Sequence, residues 1–166
     1  MKKLFILIPV MLLLLGCSAT SKFQSVVILY YPTADATQQA IMEISCEGEG
    51  KDAEDILSVY FAQQDDPSIL QFPKGMGISS LKLKEDHATL ILTDHFADLS
   101  GIHLTRACVC ITKTLIGLTG VSTVTIGCQS ALIDGEQSIT FSDNTIMWVD
   151  EGVASTPSAL PTNSTN

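Results

Sequence analysis

The sequence predicts an α+β fold: one mixed or antiparallel sheet with two helices packed on one face, plus an extra C-terminal β-hairpin. Two segments carry apolar residues at helical spacing, and several shorter segments alternate apolar and polar residues as half-buried strands do. Turn residues separate these segments. Without an N-terminal leader about 150 residues remain, which is the length of one domain with a substantial core.

Residues 1–16 are typical of a secretory signal peptide. A basic pair precedes an apolar run from Leu4 to Leu15, which is too short to span a bilayer that requires about 20 residues. The run ends in Leu14-Leu15-Gly16-Cys17, which fits the lipobox of bacterial lipoproteins. We therefore expect cleavage before Cys17 and lipidation of its thiol. The alternative is an ordinary signal peptide followed by a chance cysteine.

Residues 17–25 are predicted to form a lipidated tether. The eight residues after Cys17 reach about 25–30 Å when extended, so the domain is expected at the outer face of the cell membrane. Without the leader, seven basic and eighteen acidic residues give a net charge near −11. This charge disfavours nucleic acid and anionic head groups as partners, so membrane attachment would depend on the lipid.

The domain is predicted to begin with two strands and a helix. Val26–Tyr31 is β-branched and aromatic, which is typical of a strand buried on both faces in the middle of a sheet. Ala40–Cys46 alternates weakly and is predicted as an edge strand. Asp52 is a suitable helix N-cap. The residues that follow it form one apolar helical stripe, which consists of Ala53, Ile56, Leu57, Tyr60 and Phe61.

A hairpin and a second helix are predicted next. Ile78–Lys84 and Ala88–Thr93 alternate on either side of the tight turn Glu85-Asp86-His87. The second apolar helical stripe consists of Leu104, Ala107, Cys108, Ile111, Leu115 and Leu118. The residues predicted on the other side of this helix are His103, Arg106, Cys110 and Lys113. Gly120 suits the left-handed position that ends a helix.

The C-terminal part is predicted to contain a strand, a hairpin and a tail. The strand covers Val121–Gly127, and the extra hairpin consists of Ser138–Phe141 and Thr145–Val149. Residues 26–149 would thus form one domain. Residues 150–166 are rich in Ser, Thr, Pro and Asn and are predicted to be disordered.

Four cysteines remain if Cys17 is lipidated: Cys46, Cys108, Cys110 and Cys128. An even number in an exported protein permits two disulfides in three possible pairings, and four free, largely buried thiols are the alternative. Cys108 and Cys110 point about 200° apart on a helix, so one is expected to face the core and the other to face outwards. They would not chelate one ion together.

The remaining polar residues do not predict a catalytic or metal site. Cys110 and His103 are two helical turns apart, about 10 Å, which is too far for proton transfer. His87, His95 and His103 are predicted as single exposed histidines. The carboxylates Asp65-Asp66, Glu85-Asp86 and Asp94 occupy turns and element ends. The sequence contains no Gly-x-Ser-x-Gly elbow, and we expect neither an enzyme nor a cofactor.

Four stretches follow the pattern of a known family. They are Val27-Ile28-Leu29-Tyr30-Tyr31-Pro32 with Ala34-Asp35, Phe72-Pro73-Lys74-Gly75 with Leu81 and Leu83, Asp86–Thr93 with Phe96, and Thr114-Leu115 through Gly120-Val121 and Val124. In these stretches the chain from about Val26 to Gly127 resembles the GerMN domain, the sporulation and spore-germination domain of bacterial lipoproteins. His87, Leu92 and Gly127-Cys128-Gln129 depart from the family's pattern.

The resemblance implies a compact α+β domain with a non-catalytic role in the cell envelope, at sporulation or germination. It implies no particular ligand or functional residues. Our first hypothesis is therefore a lipid-anchored module that binds an envelope protein or a wall component. The alternatives are a lipid-anchored envelope hydrolase and a small-ligand or redox protein that uses the four remaining cysteines.

Overall fold

The computed structural model describes residues 26–34, 41–62 and 66–144. Within these ranges the chain forms six strands, two α-helices and one short 3-10 helix, which confirms the predicted α+β class. In chain order they are β1 (Val26–Pro32), β2 (Ile41–Glu47), α1 (Ala53–Ala62), β3 (Ile78–Lys84), β4 (His87–Leu92), the 3-10 helix (Asp94–Asp98), α2 (Gly101–Thr119), β5 (Thr123–Cys128) and β6 (Ser138–Ser142).

Four strands form a mixed sheet in the order β3-β4-β5-β6. β3 and β4 are the predicted antiparallel hairpin, β4 and β5 run parallel, and β6 lies antiparallel to β5. The parallel pair requires a crossover connection, and α2 provides it. The inward side chains of the two central strands are fully buried in the core: Ala88, Leu90, Leu92, Val124 and Ile126.

β1 and β2 form a separate antiparallel pair, which we call the ribbon. β2 is the predicted edge strand. The prediction that β1 is buried on both faces in the middle of a sheet is wrong. Leu29 and Tyr31 are buried, but Val26 and Ile28 on the other face are 64% and 44% exposed. A β-branched run favours extended backbone whether or not a second layer covers it.

Helix α1 is capped and packed as its sequence predicts. Asp52 and Asp55 form a reciprocal capping arrangement, in which each carboxylate accepts a hydrogen bond from the other residue's backbone N–H, at 2.9 and 3.3 Å. All five residues of the predicted stripe are buried. One of them, Tyr60, stacks on Tyr31 of the ribbon with ring centroids 4.4 Å apart.

Helix α2 is buried on two sides, whereas the sequence predicts burial on one. Its apolar stripe joins the core of the four-stranded sheet, as expected. Arg106, Cys110 and Thr114 are also buried, because the ribbon lies along this second side. The expectation that Cys110 faces outwards is therefore wrong, and so is the placement of Arg106 away from the core. The helix ends at Gly120, whose φ of 72° is left-handed as predicted.

Several predictions fall outside the described residues. They concern the signal peptide, the tether with Cys17, the second strand of the C-terminal hairpin at residues 145–149, and the tail at 150–166. The first strand of that hairpin is present as β6. Among the residues that the structure describes, no helix is long and apolar enough to cross a membrane.

Candidate interaction site

The four cysteines are free thiols, so the alternative without disulfides holds for this structure. Cys108 and Cys110 are buried, and burial raises the pKa of each thiol to about 12. The pKa of Cys128 is raised by burial and by the nearby Asp94 carboxylate. Because the thiolate is the reactive form, these three groups are poor nucleophiles at neutral pH.

The three histidines lie in three different elements. His103 is exposed on the first turn of α2, whereas Cys110 is buried on the same helix. His87 begins β4. His95 lies in the 3-10 helix with its Nδ1 3.5 Å from a carboxylate oxygen of Asp98. In residues 26–34, 41–62 and 66–144, no group of three or more His, Cys, Asp or Glu side chains could hold a metal ion.

Two carboxylates of the predicted turns hold loops in place. Asp86 accepts hydrogen bonds from the backbone N–H of Ser122, at 2.7 Å, and from its hydroxyl. Asp94 Oδ1 accepts backbone hydrogen bonds from Ser130 and Ala131, at 2.7 and 2.9 Å. These hydrogen bonds stabilise the charged form and lower the pKa of both aspartates. Their arrangement supports the structural role that the sequence predicts.

A shallow groove lies on the outer surface of the C-terminal half of α2. We call it the α2 groove; it is lined by Tyr30, Lys113, Ile116, Gly117 and Asp143. Its volume is about 180 Å³, below the roughly 300–1,000 Å³ of a pocket for a small-molecule ligand. A groove of this size suits one large side chain or a short extended peptide.

Three separate elements position the walls of the α2 groove. The backbone N–H of Tyr30 donates to Thr114 Oγ1 at 3.0 Å, which fixes β1 against the helix. Lys113 places its Nζ 4.3 Å from the centroid of the Tyr30 ring, a cation–π contact. Partial burial and the Glu43 carboxylate raise the pKa of the Tyr30 hydroxyl. Asp143 is held at the end of β6 by its N–H, which donates to the Ser122 carbonyl at 3.0 Å.

The sequence does not predict the α2 groove. Lys113 lies away from the apolar stripe, as predicted, but no pattern in the sequence assigns a role to Tyr30 or Asp143. The only local signal was Ile116, an apolar residue outside the predicted stripe. Val26 and Ile28 lie on the same face of β1 as Tyr30 and extend this partly apolar surface along the strand.

No protein-family model matches the sequence, and no curated protein matches it. Among solved structures, the fold is similar to the tandem GerMN domains of the sporulation protein GerM from Bacillus subtilis. The TM-score is 0.51 and the identity 15%, and the match covers 68% of this chain and 43% of that chain. The fold is therefore GerMN-like, as the sequence predicts.

A second structural match is to a proposed lipoprotein from Clostridium perfringens. It has 17% identity and covers 72% of this chain and 87% of that one. Its TM-score of 0.37 is too low to support a structural argument. At 15% identity, the likeness to the GerM domains establishes the fold and no more.

Proposed function

We propose that the protein is a non-catalytic, lipid-anchored module at the outer face of a bacterial cell membrane, where it binds an envelope protein or a wall component. The GerMN-like fold is the observation that carries the proposal, because the matched GerM domains belong to a sporulation protein. By this likeness we assign the module to sporulation or spore germination.

The lipobox supports the proposed location. Diacylglycerol on Cys17 supplies two acyl chains, and each buried methylene contributes about 0.8 kcal/mol, so two chains give stable attachment where a single chain is marginal. The short tether then keeps the acidic domain beside the membrane. This geometry favours partners that lie at the membrane surface.

The site geometry favours binding over the two alternatives. A redox role would require accessible thiolates, but burial raises the pKa of Cys108 and Cys110 to about 12. A hydrolase would require a cleft with a positioned acid and base, whereas the α2 groove is shallow and its charged lining residues are one lysine and one aspartate. A partly apolar surface beside an exposed strand face is better suited to a protein partner.

Lipid labelling tests the anchor. Cells that express the protein are fed labelled palmitate, and membranes are separated from the soluble fraction. Cys17→Ala should abolish labelling and release the protein from membranes. Cys46→Ala is the matched control, since it also removes one thiol and should leave labelling unchanged. A Cys17→Ala variant that is still labelled would contradict the anchor.

Partner capture tests the binding role. The full-length protein is cross-linked in sporulating cells and recovered from detergent extracts. As a control, residues 1–25 are fused to an unrelated folded protein, which keeps the anchor and removes the domain. We expect an envelope protein or wall fragment that the control does not capture. If the two baits recover the same material, the domain is not the binding module.

A further inference from the structure

The four-stranded sheet has a second face, opposite the core. Helices α1 and α2 pack on its inner face, so among the described residues neither helix covers the outer one. Side chains alternate along each strand, and most outward side chains of β4, β5 and β6 carry hydroxyls. We call this surface the outer sheet face; its hydroxyl residues are Thr89, Thr123, Thr125, Ser138, Thr140 and Ser142.

We propose that the outer sheet face, with Lys82 and Lys84 of β3 at its edge, binds peptidoglycan, a wall glycan whose peptide side chains carry carboxylates. The inference rests on the proposed function, since it assumes a location in the envelope and specifies the wall component. It uses a different surface, because none of these residues lines the α2 groove.

The strand register arranges the outward side chains in rows. Thr89 pairs with Thr125, and Thr125 pairs with Thr140, so three threonines lie side by side across three strands. Lys82 continues the row, because it pairs with Thr89. With strands about 4.8 Å apart, the row from Lys82 to Thr140 is about 14 Å long. A row of this length suits an extended polymer better than a compact small molecule.

The hydroxyls of this row match the polar groups of a sugar chain. A hydroxyl both donates and accepts hydrogen bonds, as do sugar hydroxyls. Thr125 Oγ1 and Thr140 Oγ1 are 2.7 Å apart and share one hydrogen bond, which leaves the second proton of the pair for a partner. The bond also orients both side chains before binding, which lowers the entropy that binding costs.

The two lysines give the face a charge that differs from the charge of the whole domain. Lys82 and Lys84 are exposed and lie about 7 Å apart on the outward side of β3. None of the outward residues of β3, β4, β5 and β6 is acidic, although the chain has eighteen acidic residues. Glu85 and Asp86 follow in the turn, where Asp86 is held by Ser122. A carboxylate is therefore attracted to this edge.

This distribution favours a glycan with peptide side chains over a phosphate polymer. Charge on every repeat of a phosphate polymer would be repelled by the acidic domain. In peptidoglycan the sugars can lie along the threonines while a peptide carboxylate reaches the lysines. Lysines on an edge strand also discourage pairing with other strands, but that role does not explain the rows of hydroxyls.

Sedimentation with insoluble peptidoglycan tests the proposal. The full-length protein, in a mild non-ionic detergent, is mixed with peptidoglycan from which phosphate polymers have been removed, and the pelleted fraction is measured. We expect saturable binding. Thr125→Val keeps the shape of the side chain and removes one hydroxyl, which should weaken binding about fivefold. The double variant Lys82→Gln/Lys84→Gln should weaken it about tenfold.

Matched variants locate the binding surface. Thr105→Val removes an exposed hydroxyl of α2, and Lys113→Gln removes one charge from the α2 groove. Neither should change binding, and circular dichroism checks that every variant is folded. If Lys113→Gln weakens binding as much as the double lysine variant does, the site is the α2 groove and the proposal is overturned.

Chemical amidation of the peptidoglycan carboxylates tests the charged contact without any variant. It should weaken binding of the wild-type protein to the level of the double lysine variant and leave that variant unchanged. Equal binding before and after amidation would overturn the proposal, and so would binding that requires the phosphate polymers. If no protein pellets, this site is rejected, whereas an envelope protein recovered by cross-linking would still support the proposed function.

Discussion

The two sides of helix α2 are attached to the rest of the domain by different kinds of contact. Towards the four-stranded sheet the helix presents Leu104, Ile111 and Leu115, which join the main apolar core. Towards the ribbon it presents Arg106, Cys110 and Thr114. On this side, Arg106 Nη2 donates to the carbonyl and the hydroxyl of Thr33, both at 2.8 Å.

The difference implies two kinds of stability within one domain. Apolar contact stabilises in proportion to the area that is buried and closely packed. Hydrogen bonds between buried groups depend on both partners, and losing one partner leaves the other unsatisfied at a cost of about 1–3 kcal/mol. We therefore expect the ribbon to open more readily than the sheet. Four predictions test this comparison.

The largest effect is expected on the sheet side. Ile111 is fully buried, and Ile111→Ala should lower the free energy of unfolding by about 2–5 kcal/mol, because it removes apolar contact and leaves a cavity. Urea unfolding followed by circular dichroism measures the change. Ile102→Ala, an exposed position on the same helix, should cost less than about 0.5 kcal/mol. If Ile111→Ala and Ile102→Ala lower the free energy of unfolding equally, apolar contacts on the sheet side do not dominate the stability of the domain.

A smaller but localised effect is expected for Arg106 on the ribbon side. Arg106→Met keeps most of the aliphatic volume and removes both hydrogen bonds to Thr33. Hydrogen bonds to charged groups contribute about 1.5–3 kcal/mol, so we expect a loss in that range. Hydrogen exchange should accelerate in β1 more than in β4. Uniform acceleration across both strands would show that the ribbon and the sheet unfold as one unit.

Thr114→Val gives a still smaller change at the same interface. Valine has the shape of threonine but leaves the Tyr30 N–H without the acceptor that Thr114 Oγ1 provides. We expect a loss of about 1 kcal/mol. Thr105→Val is the control, since the exposed Thr105 hydroxyl donates to the Gly101 carbonyl of its own helix and does not join the helix to the ribbon. If both variants are equally stable, the Tyr30 hydrogen bond does not hold the ribbon.

The smallest effect concerns pH and the loop after β5. Hydrogen bonds lower the folded-state pKa of Asp94 below its ordinary value of 3.8. Its contribution is therefore complete above that value and is lost as the pH falls through the lower folded pKa. Asp94→Asn should be less stable than the wild-type protein at pH 7, and this difference should shrink as the pH falls below 3.8. Thermal melts at pH 7 and at a series of lower pH values measure this, and a difference that does not shrink in acid would assign the effect to packing.

Local sequence patterns predicted the elements whose stabilising contacts are local or apolar. The stripe of α1 with its Asp52–Asp55 cap, the β3–β4 hairpin, the sheet side of α2 and the Gly120 terminus are all confirmed. In the two helices and the hairpin, the spacing of the apolar residues shows which single face is buried. The hairpin and the end of α2 are also among the stretches in which the sequence resembles the GerMN domain.

The sequence could not predict the ribbon side of α2. A polar side chain such as Arg106 is usually exposed, and only its partner reveals that it is buried. That partner, Thr33, is 73 residues away along the chain. Distant contacts also explain why Cys110 was predicted on the exposed side of α2. They explain as well why β1 was incorrectly predicted in the middle of a sheet, since its burial depends on which segments pack against each face.

The candidate site depends even more strongly on tertiary structure. Tyr30, Lys113 and Asp143 come from the first strand, the second helix and the end of the last described strand, and no pattern within any of these segments indicates that they meet. The sequence by itself determined the helices, the hairpin and the fold class, because periodicity and short motifs are local; the membrane anchor at Cys17 stays a prediction. Tertiary structure alone decided which polar residues are buried and where the α2 groove lies, because both depend on contacts between distant segments.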